Sequence, residues 1–327
     1  MPVESRHYQH PADLDSLVNL RAIKWFERLS KTLVATDLET DFYLLNLSDN
    51  VLLREAEFPE LNTALKRACD VLGVARVPRL FLDTRPDPYS LCIGEAQSLI
   101  VISSGLVELL DEEELQCAIA HEVGHLACGH AYYKLLTENF ANLNQLSSLI
   151  PGMGIASFAV KLALYDWYRK ADFSADRAAA LVMGDAGIVL RMVGKVAGGS
   201  RLLGGRVSIE TLRQQGEEIE AITAGMRSGS VKNRAAYFFS NMVMQGMLRS
   251  QPWPSLRIKE LMEWEQTEAA RELHAGRIPA TPPLAEPKAP EKNFFKRWSN
   301  IVTEASRSVF AQESPASEVK EEDAAKE

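Results

Sequence analysis

Four cysteines are spread over 327 residues, and no two of them form a CxxC pair. Cys69, Cys92, Cys117 and Cys128 therefore supply neither a zinc-ribbon spacing nor a disulfide framework. The chain opens MPVESRHYQHPADLDSL, with no basic segment leading into an apolar one. No secretory signal is legible, so the expected setting is the reducing cytoplasm, with free thiols. Basic residues are in deficit: 36 Lys and Arg stand against 44 Asp and Glu, a formal charge of −8. An acidic chain without a basic stripe is a poor binder of nucleic acid. Long apolar runs are missing as well. The best uncharged stretch, Asn139 to Val160, is interrupted by Asn142, Asn144, Gln145, Ser147, Ser148 and Pro151. That is too polar for a bilayer helix, and its apolar part from Leu149 is too short. It reads as a buried segment or flap, with peripheral membrane contact as the alternative. No internal repeat is found.

What is present describes a folded chain. Hydrophobic residues make up 46% and charged residues 24%, enough for a core under a charged surface. Residues 12–34 carry Leu14, Leu17, Val18, Ile23, Trp25, Phe26 and Leu29 at near-helical spacing. Phe42 to Leu53 reads as extended, with a turn at Ser48-Asp49-Asn50. A helix is expected over Pro59–Leu72, ending at Gly73. Three short strands are expected at 79–83, 89–93 and 98–103, together one small sheet. Asp111 followed by Glu114 marks a capped helix start. Further helices are expected at 158–183, 186–197, 208–226, 231–249 and 254–275. Residues 278–292 are proline-rich and read as a linker after a catalytic domain over 1–277. Residues 293–310 then show an apolar stripe, Phe294, Trp298, Ile301, Val302, Ala305 and Val309, beside Lys296 and Arg297. This short helix could dock on a membrane surface or a partner, or fold back on its own domain. Residues 313–327 hold six acids and two bases and read as a disordered tail.

The chemistry centres on His121-Glu122-Val123-Gly124-His125. Histidines four apart on a helix differ by about 40° around its axis, so both rings can reach one ion. Two imidazoles leave room on zinc for a third protein ligand and a water. Glu122, one residue past the first histidine, can reach that water without binding the metal, which suits a general base. Three of the six histidines fall between 121 and 130. Leu115, Ile119, Val123 and Leu126 lie on the far side of the same wheel, so one face can be core and the other a site. Cys117 and Cys128 fall on the histidine side. Small buried cysteines are common in helix packing, however, and a ligand role for them is not expected. His130 projects roughly opposite the pair and is expected to be structural or exposed. Further on, Asp172 and Asp176 are four apart on one helix face. One carboxylate could complete a coordination sphere and the other could orient a ligating imidazole.

These segments resemble the HtpX-like and CAAX-prenyl-protease-like zinc metallopeptidases, a gluzincin group. The resemblance covers roughly residues 40–265. It is carried by the strand and turn Ile100-Val101-Ile102-Ser103-Ser104-Gly105-Leu106, the helix start at Asp111 to Leu115, and HEVGH. It extends to Arg169-Lys170-Ala171-Asp172-Phe173-Ser174-Ala175-Asp176-Arg177 and the late segment from Pro252 to Arg257-Ile258. It implies a mainly helical α+β zincin-like domain, with a small sheet beside the HExxH helix. It implies one zinc per chain held by His121, His125 and Asp172, with Glu122 as base and Asp176 supporting a ligand. Arg257 matches an arginine that such proteins hold near the site, expected here to pair with a carboxylate.

The chain departs from the family pattern in three places. The third ligand is usually Glu and here is Asp172, one methylene shorter, so its helix must approach more closely or zinc affinity falls. A His-Pro often found in the family reads Gln251-Pro252, and Gln251 could donate a hydrogen bond to the oxyanion but brings no positive charge. The family's Asn-Ala near the substrate strand is missing around Tyr89-Ser90. The expected function is zinc-dependent endoproteolysis of a peptide or protein, the substrate lying extended along the sheet edge near Leu99–Ser103. The alternative is a zinc-stabilised pseudo-protease that serves as a binding or adaptor protein.

Overall fold

A computed structural model describes residues 2–21, 38–137, 153–199, 206–227 and 253–279. The expected helix at 231–249, Gln251, residues 280–292 of the linker, the apolar helix at 293–310 and the tail at 313–327 lie outside the described residues. So do residues 22–34 of the first expected helix and residues 139–152 of the uncharged stretch.

In chain order the helices are α1 (Pro11–Arg21), α2 (Leu38–Asp49), α3 (Pro59–Leu72), α4 (Ser104–Leu109), α5 (Glu112–Ala127), α6 (Met153–Met183), α7 (Ala186–Gly198), α8 (Ile209–Arg227), α9 (Pro254–Glu265) and α10 (Glu268–His274). Residues 131–137 are also helical. The strands are β1 (Val51–Leu52), β2 (Arg79–Asp83), β3 (Ser90–Ile93) and β4 (Leu99–Ser103). The architecture is mainly helical with one four-stranded sheet, as the sequence leads one to expect.

The sheet order is β1-β2-β4-β3. β2 and β4 run parallel, Arg79 opposite Leu99 through Asp83 opposite Ser103, while β3 pairs antiparallel with β4. This overturns one expectation. β4 is bonded on both sides and buried along its whole length, so it has no edge to offer a substrate; the edge strands are β1 and β3, and β3 is the one beside β4. The continuous apolar run Leu99-Ile100-Val101-Ile102 is the signature of a strand covered on both faces. Ile100 and Ile102 face the large helical core, whereas Leu99 and Val101 join Phe81, Ile93 and Leu135 on the other side.

Two elements differ from the sequence reading. Residues 42–49 are helical, and only Val51–Leu52 is extended. A short apolar run is ambiguous between helix and strand. Here Asn46 and Ser48 donate to the carbonyls of Phe42 and Leu44, four residues back, and so satisfy themselves within a helix. The Glu39 carboxylate also accepts from the backbone N–H groups of Glu95, Ala96 and Gln97, pinning α2 against the β3–β4 turn. The expected helix at 254–275 is two helices, because the Thr267 hydroxyl accepts from the Ala270 N–H and starts α10 afresh.

Candidate metal centre

α5 begins with a complete capping box: Asp111 Oδ1 accepts the Glu114 N–H at 2.9 Å, and Glu114 Oε2 accepts the Asp111 N–H at 3.1 Å. That fixed start sets which residues project where two turns later. Leu115, Ile119 and Val123 enter the core as expected, but the opposite face is buried too, so the two histidines look into an interior cleft. His121 Nε2 and His125 Nε2 face each other at 3.2 Å.

Asp172 and Asp176 arrive from α6, which packs closely against α5. A β-carbon at Gly124 would stand 2.6 Å from the Ala178 β-carbon and 3.2 Å from the Ala175 Cα. This seam of small residues is how the shorter aspartate reaches the site. Asp172 Oδ1 lies 3.2 Å from His125 Nε2. Atoms bound to zinc at tetrahedral corners with bonds of 2.0–2.1 Å are about 3.3 Å apart. Both separations lie near that edge, although Asp172 does not join His121 and His125 in a single group of donors all within 4.8 Å, so it would have to close toward His121 to complete a tetrahedral site. On the far side of His121, Asp176 Oδ1 stands 3.0 Å from Nδ1. It sits off the ring N–H direction, however, and that nitrogen has no aligned hydrogen bond. Arg257 donates to Asp176 twice, Nε to Oδ2 at 2.8 Å and Nη2 to Oδ1 at 2.5 Å, and its Nη1 is 3.8 Å from Asp172 Oδ2. The expected pairing of Arg257 with a carboxylate is therefore present. Burial raises the Asp176 carboxyl, but Arg257 and His121 outweigh it and hold the pKa below the usual range.

Glu122 is 2% exposed. Its Oε1 accepts from Ser90 Oγ at 2.7 Å, and its Oε2 from the Cys92 N–H at 2.8 Å and Lys134 Nζ at 3.0 Å. Burial pushes this carboxyl up, but Lys134, the two histidines and Ser90 overcome that and bring it to about 2. For His125, burial and then Lys134 push the imidazole well below its ordinary value, so it is neutral and ready to ligate. Among the described residues, His121, Glu122 and His125 form the one group whose donor atoms all lie within 4.8 Å of one another. Distance alone would admit Glu122 as a ligand; the three donors already on its carboxylate argue for a separate role. Tyr89, Ser90, Lys134, Tyr168, Asp172 and Arg257 line the cleft with His121 and Glu122.

Sequence reasoning missed two of these side chains. The sequence marks Lys134 only by its place nine residues past His125. His130 was expected opposite the pair, yet its Nδ1 lies 3.0 Å from His125 Nδ1 and the residue is wholly buried. The helical wheel fails there because α5 ends at Ala127. Gly129, at φ 69°, then reverses the chain and brings the ring back. Cys117 is buried in the core and Cys128 approaches the Tyr8 hydroxyl at 3.9 Å; neither joins the metal-capable group. All four cysteines are free.

A helix carrying HExxH beside a small sheet, with carboxylates from the next long helix closing on its histidines, defines a zincin-like metallopeptidase. The chain belongs to peptidase family M48, whose sequence profile matches residues 55–265. It is 29% identical over 269 residues to the plastoglobule-localized metallopeptidase 48 of Arabidopsis thaliana, covering 81% of this chain and 74% of that one. It is also similar to HtpX protease homologues: 28% identical over 89 residues in Pelotomaculum thermopropionicum and 31% over 87 residues in Lactobacillus acidophilus. Those matches cover 27% and 25% of this chain, and 31% and 28% of the two homologues. No solved structure matches the chain. Among the described residues no helix is long and apolar enough to cross a membrane.

Proposed function

We propose that the protein is a zinc-dependent endopeptidase, with His121, His125 and Asp172 as metal ligands and Glu122 as general base. The observation that carries this is the buried donor group of His121, Glu122 and His125, all within 4.8 Å of one another, with Asp172 Oδ1 3.2 Å from His125 Nε2. A zinc ion bound there would polarise the scissile carbonyl and bring the pKa of water toward ~7. The substrate lies extended along the outer edge of β3, pairing through backbone groups. Glu122 takes the proton of the attacking water and returns it to the leaving amine. Lys134 holds Glu122 and brings a positive charge to the lining of the cleft. Asp176, gripped by Arg257, orients His121.

The substrate class is a peptide or unfolded protein, and no nucleic acid. By similarity to the plastoglobule-localized relative, peripheral association with a lipid surface is part of this reading, and residues 293–310 are its candidate docking segment. A second reading, a zinc-stabilised binding or adaptor protein, is favoured by one observation: Glu122 is held by three donors, including the Lys134 ammonium, which oppose its taking a proton.

Metal analysis together with cleavage of casein separates the two. The peptidase reading expects one zinc per chain, turnover abolished by a chelator and restored by zinc, and a Glu122→Gln variant that keeps zinc but does not cleave. Stoichiometric zinc with no turnover on any unfolded substrate would establish the adaptor.

A further inference from the structure

We infer that Asp13 and His130 are positioning residues for His125: a buried chain of contacts from α1 through a second imidazole decides which His125 nitrogen faces the metal centre. This rests on the reading of His125 as a ligand.

His125 is completely buried and has a neighbour at each ring nitrogen. Nε2 faces His121 and Asp172. Nδ1 faces His130 Nδ1 at 3.0 Å. His130 is itself wholly buried, and its Nε2 lies 3.0 Å from Asp13 Oδ2. Asp13 is also wholly buried and is surrounded by donors: Trp167 Nε1 to Oδ1 at 3.0 Å, and Ser174 Oγ at 2.7 Å and Gln9 Nε2 at 2.9 Å to Oδ2. Trp167 and Ser174 belong to α6, the helix that carries Asp172 and Asp176. Asp13 thus ties α1, α6 and His130 together at one point.

A carboxylate already held by three donors can only accept from a fourth neighbour. It favours the His130 tautomer that presents N–H at Nε2, leaving Nδ1 bare. Bare Nδ1 in turn favours N–H at Nδ1 of His125, which leaves His125 Nε2 with its lone pair toward the metal. The opposite tautomers would aim an N–H into the site and a lone pair at the carboxylate. The 3.0 Å approach of Asp13 Oδ2 to His130 Nε2 is an electrostatic contact rather than an aligned hydrogen bond in this structure. Asp13 lies outside the family-matched residues 55–265. The N-terminal helix would thereby reach the metal centre through His130.

The test uses the full chain. Zinc dissociation constants are measured by chelator competition and the visible absorption of the cobalt-loaded protein is recorded, with apo melting temperatures as the folding control. His130→Phe should weaken zinc by about 10- to 100-fold and shift the cobalt bands. His130→Asn places an acceptor near the Nδ1 position and should recover most of the loss; Asp13→Asn should fall between. If zinc affinity and cobalt spectrum stay at wild-type values in His130→Phe and Asp13→Asn while melting temperatures fall, the pair is structural and the inference is overturned. Should His130→Phe fail to fold, Asp13→Asn decides by the same criterion. A wild-type protein that takes up no zinc would instead sink the metal-centre reading, and this inference with it.

Discussion

Glu122 and Lys134 stand 3.0 Å apart with both side chains 2% exposed, so the carboxylate assigned as base is half of a buried ion pair. Removing one partner of such a pair strands the other charge, at a typical cost of 3–5 kcal/mol. Glu122→Gln should therefore lose about 3 kcal/mol in urea unfolding as well as activity. Adding Lys134→Met should restore most of that stability without restoring cleavage. A single variant as stable as wild type would show that the pair is not electrostatically coupled.

The α5–α6 seam makes a second prediction. Gly124→Ala would place its β-carbon 2.6 Å from that of Ala178. Alanine is the better helix former by nearly 1 kcal/mol, but overpacking typically costs 1–3 kcal/mol. The expected net result is a loss of about 1 kcal/mol, with weaker zinc binding because Asp172 is pushed back with α6. Isothermal titration with zinc checks this; a stabilised variant with unchanged affinity would mean that the helices separate freely.

Arg257 grips Asp176 through two N–H groups. Lysine keeps the charge but cannot reproduce the fork. Arg257→Lys should bind zinc several-fold more weakly, since Asp176 then orients His121 less well. Arg257→Met should be the less stable of the two, because it leaves a buried carboxylate without its cation. Equal zinc affinity in wild type and Arg257→Lys would reduce Arg257 to a structural role.

Acid sensitivity follows from Asp13. Burial raises its carboxyl, but His130, Ser174 and Gln9 more than compensate and hold it below the ordinary value. A group whose folded pKa is depressed stabilises fully above its unfolded value, about 3.9, and that contribution fades as pH falls through the folded value. Asp13→Asn should therefore melt below wild type at pH 7, with the gap closing under about pH 4. A gap constant from pH 7 to 3 would show that the ionised form has no advantage in the fold.

Much of this was legible because it is local. The α3 bounds, three strands, the capping box and the helix stop at Gly184 each follow from signals within a few residues. α2 was not, because its apolar run fits two periods and only contacts with the sheet and the 95–97 turn choose between them. The substrate edge was misplaced for a different reason. A strand's own composition shows that it is buried, but whether it lies inside or at the rim depends on which neighbour pairs on each side.

From its residues alone the chain declared a helix with two histidines on one face and a glutamate between them, because a 3.6-residue turn settles that spacing without outside help. The arginine that pairs with Asp176 was also readable, by likeness to a family. The partners of Glu122 and His125 were not. Lys134, His130 and Asp13 reach them only after the chain reverses at Gly129 and α1 docks on α6. Those meetings are made by packing between segments far apart in sequence, which no local period records.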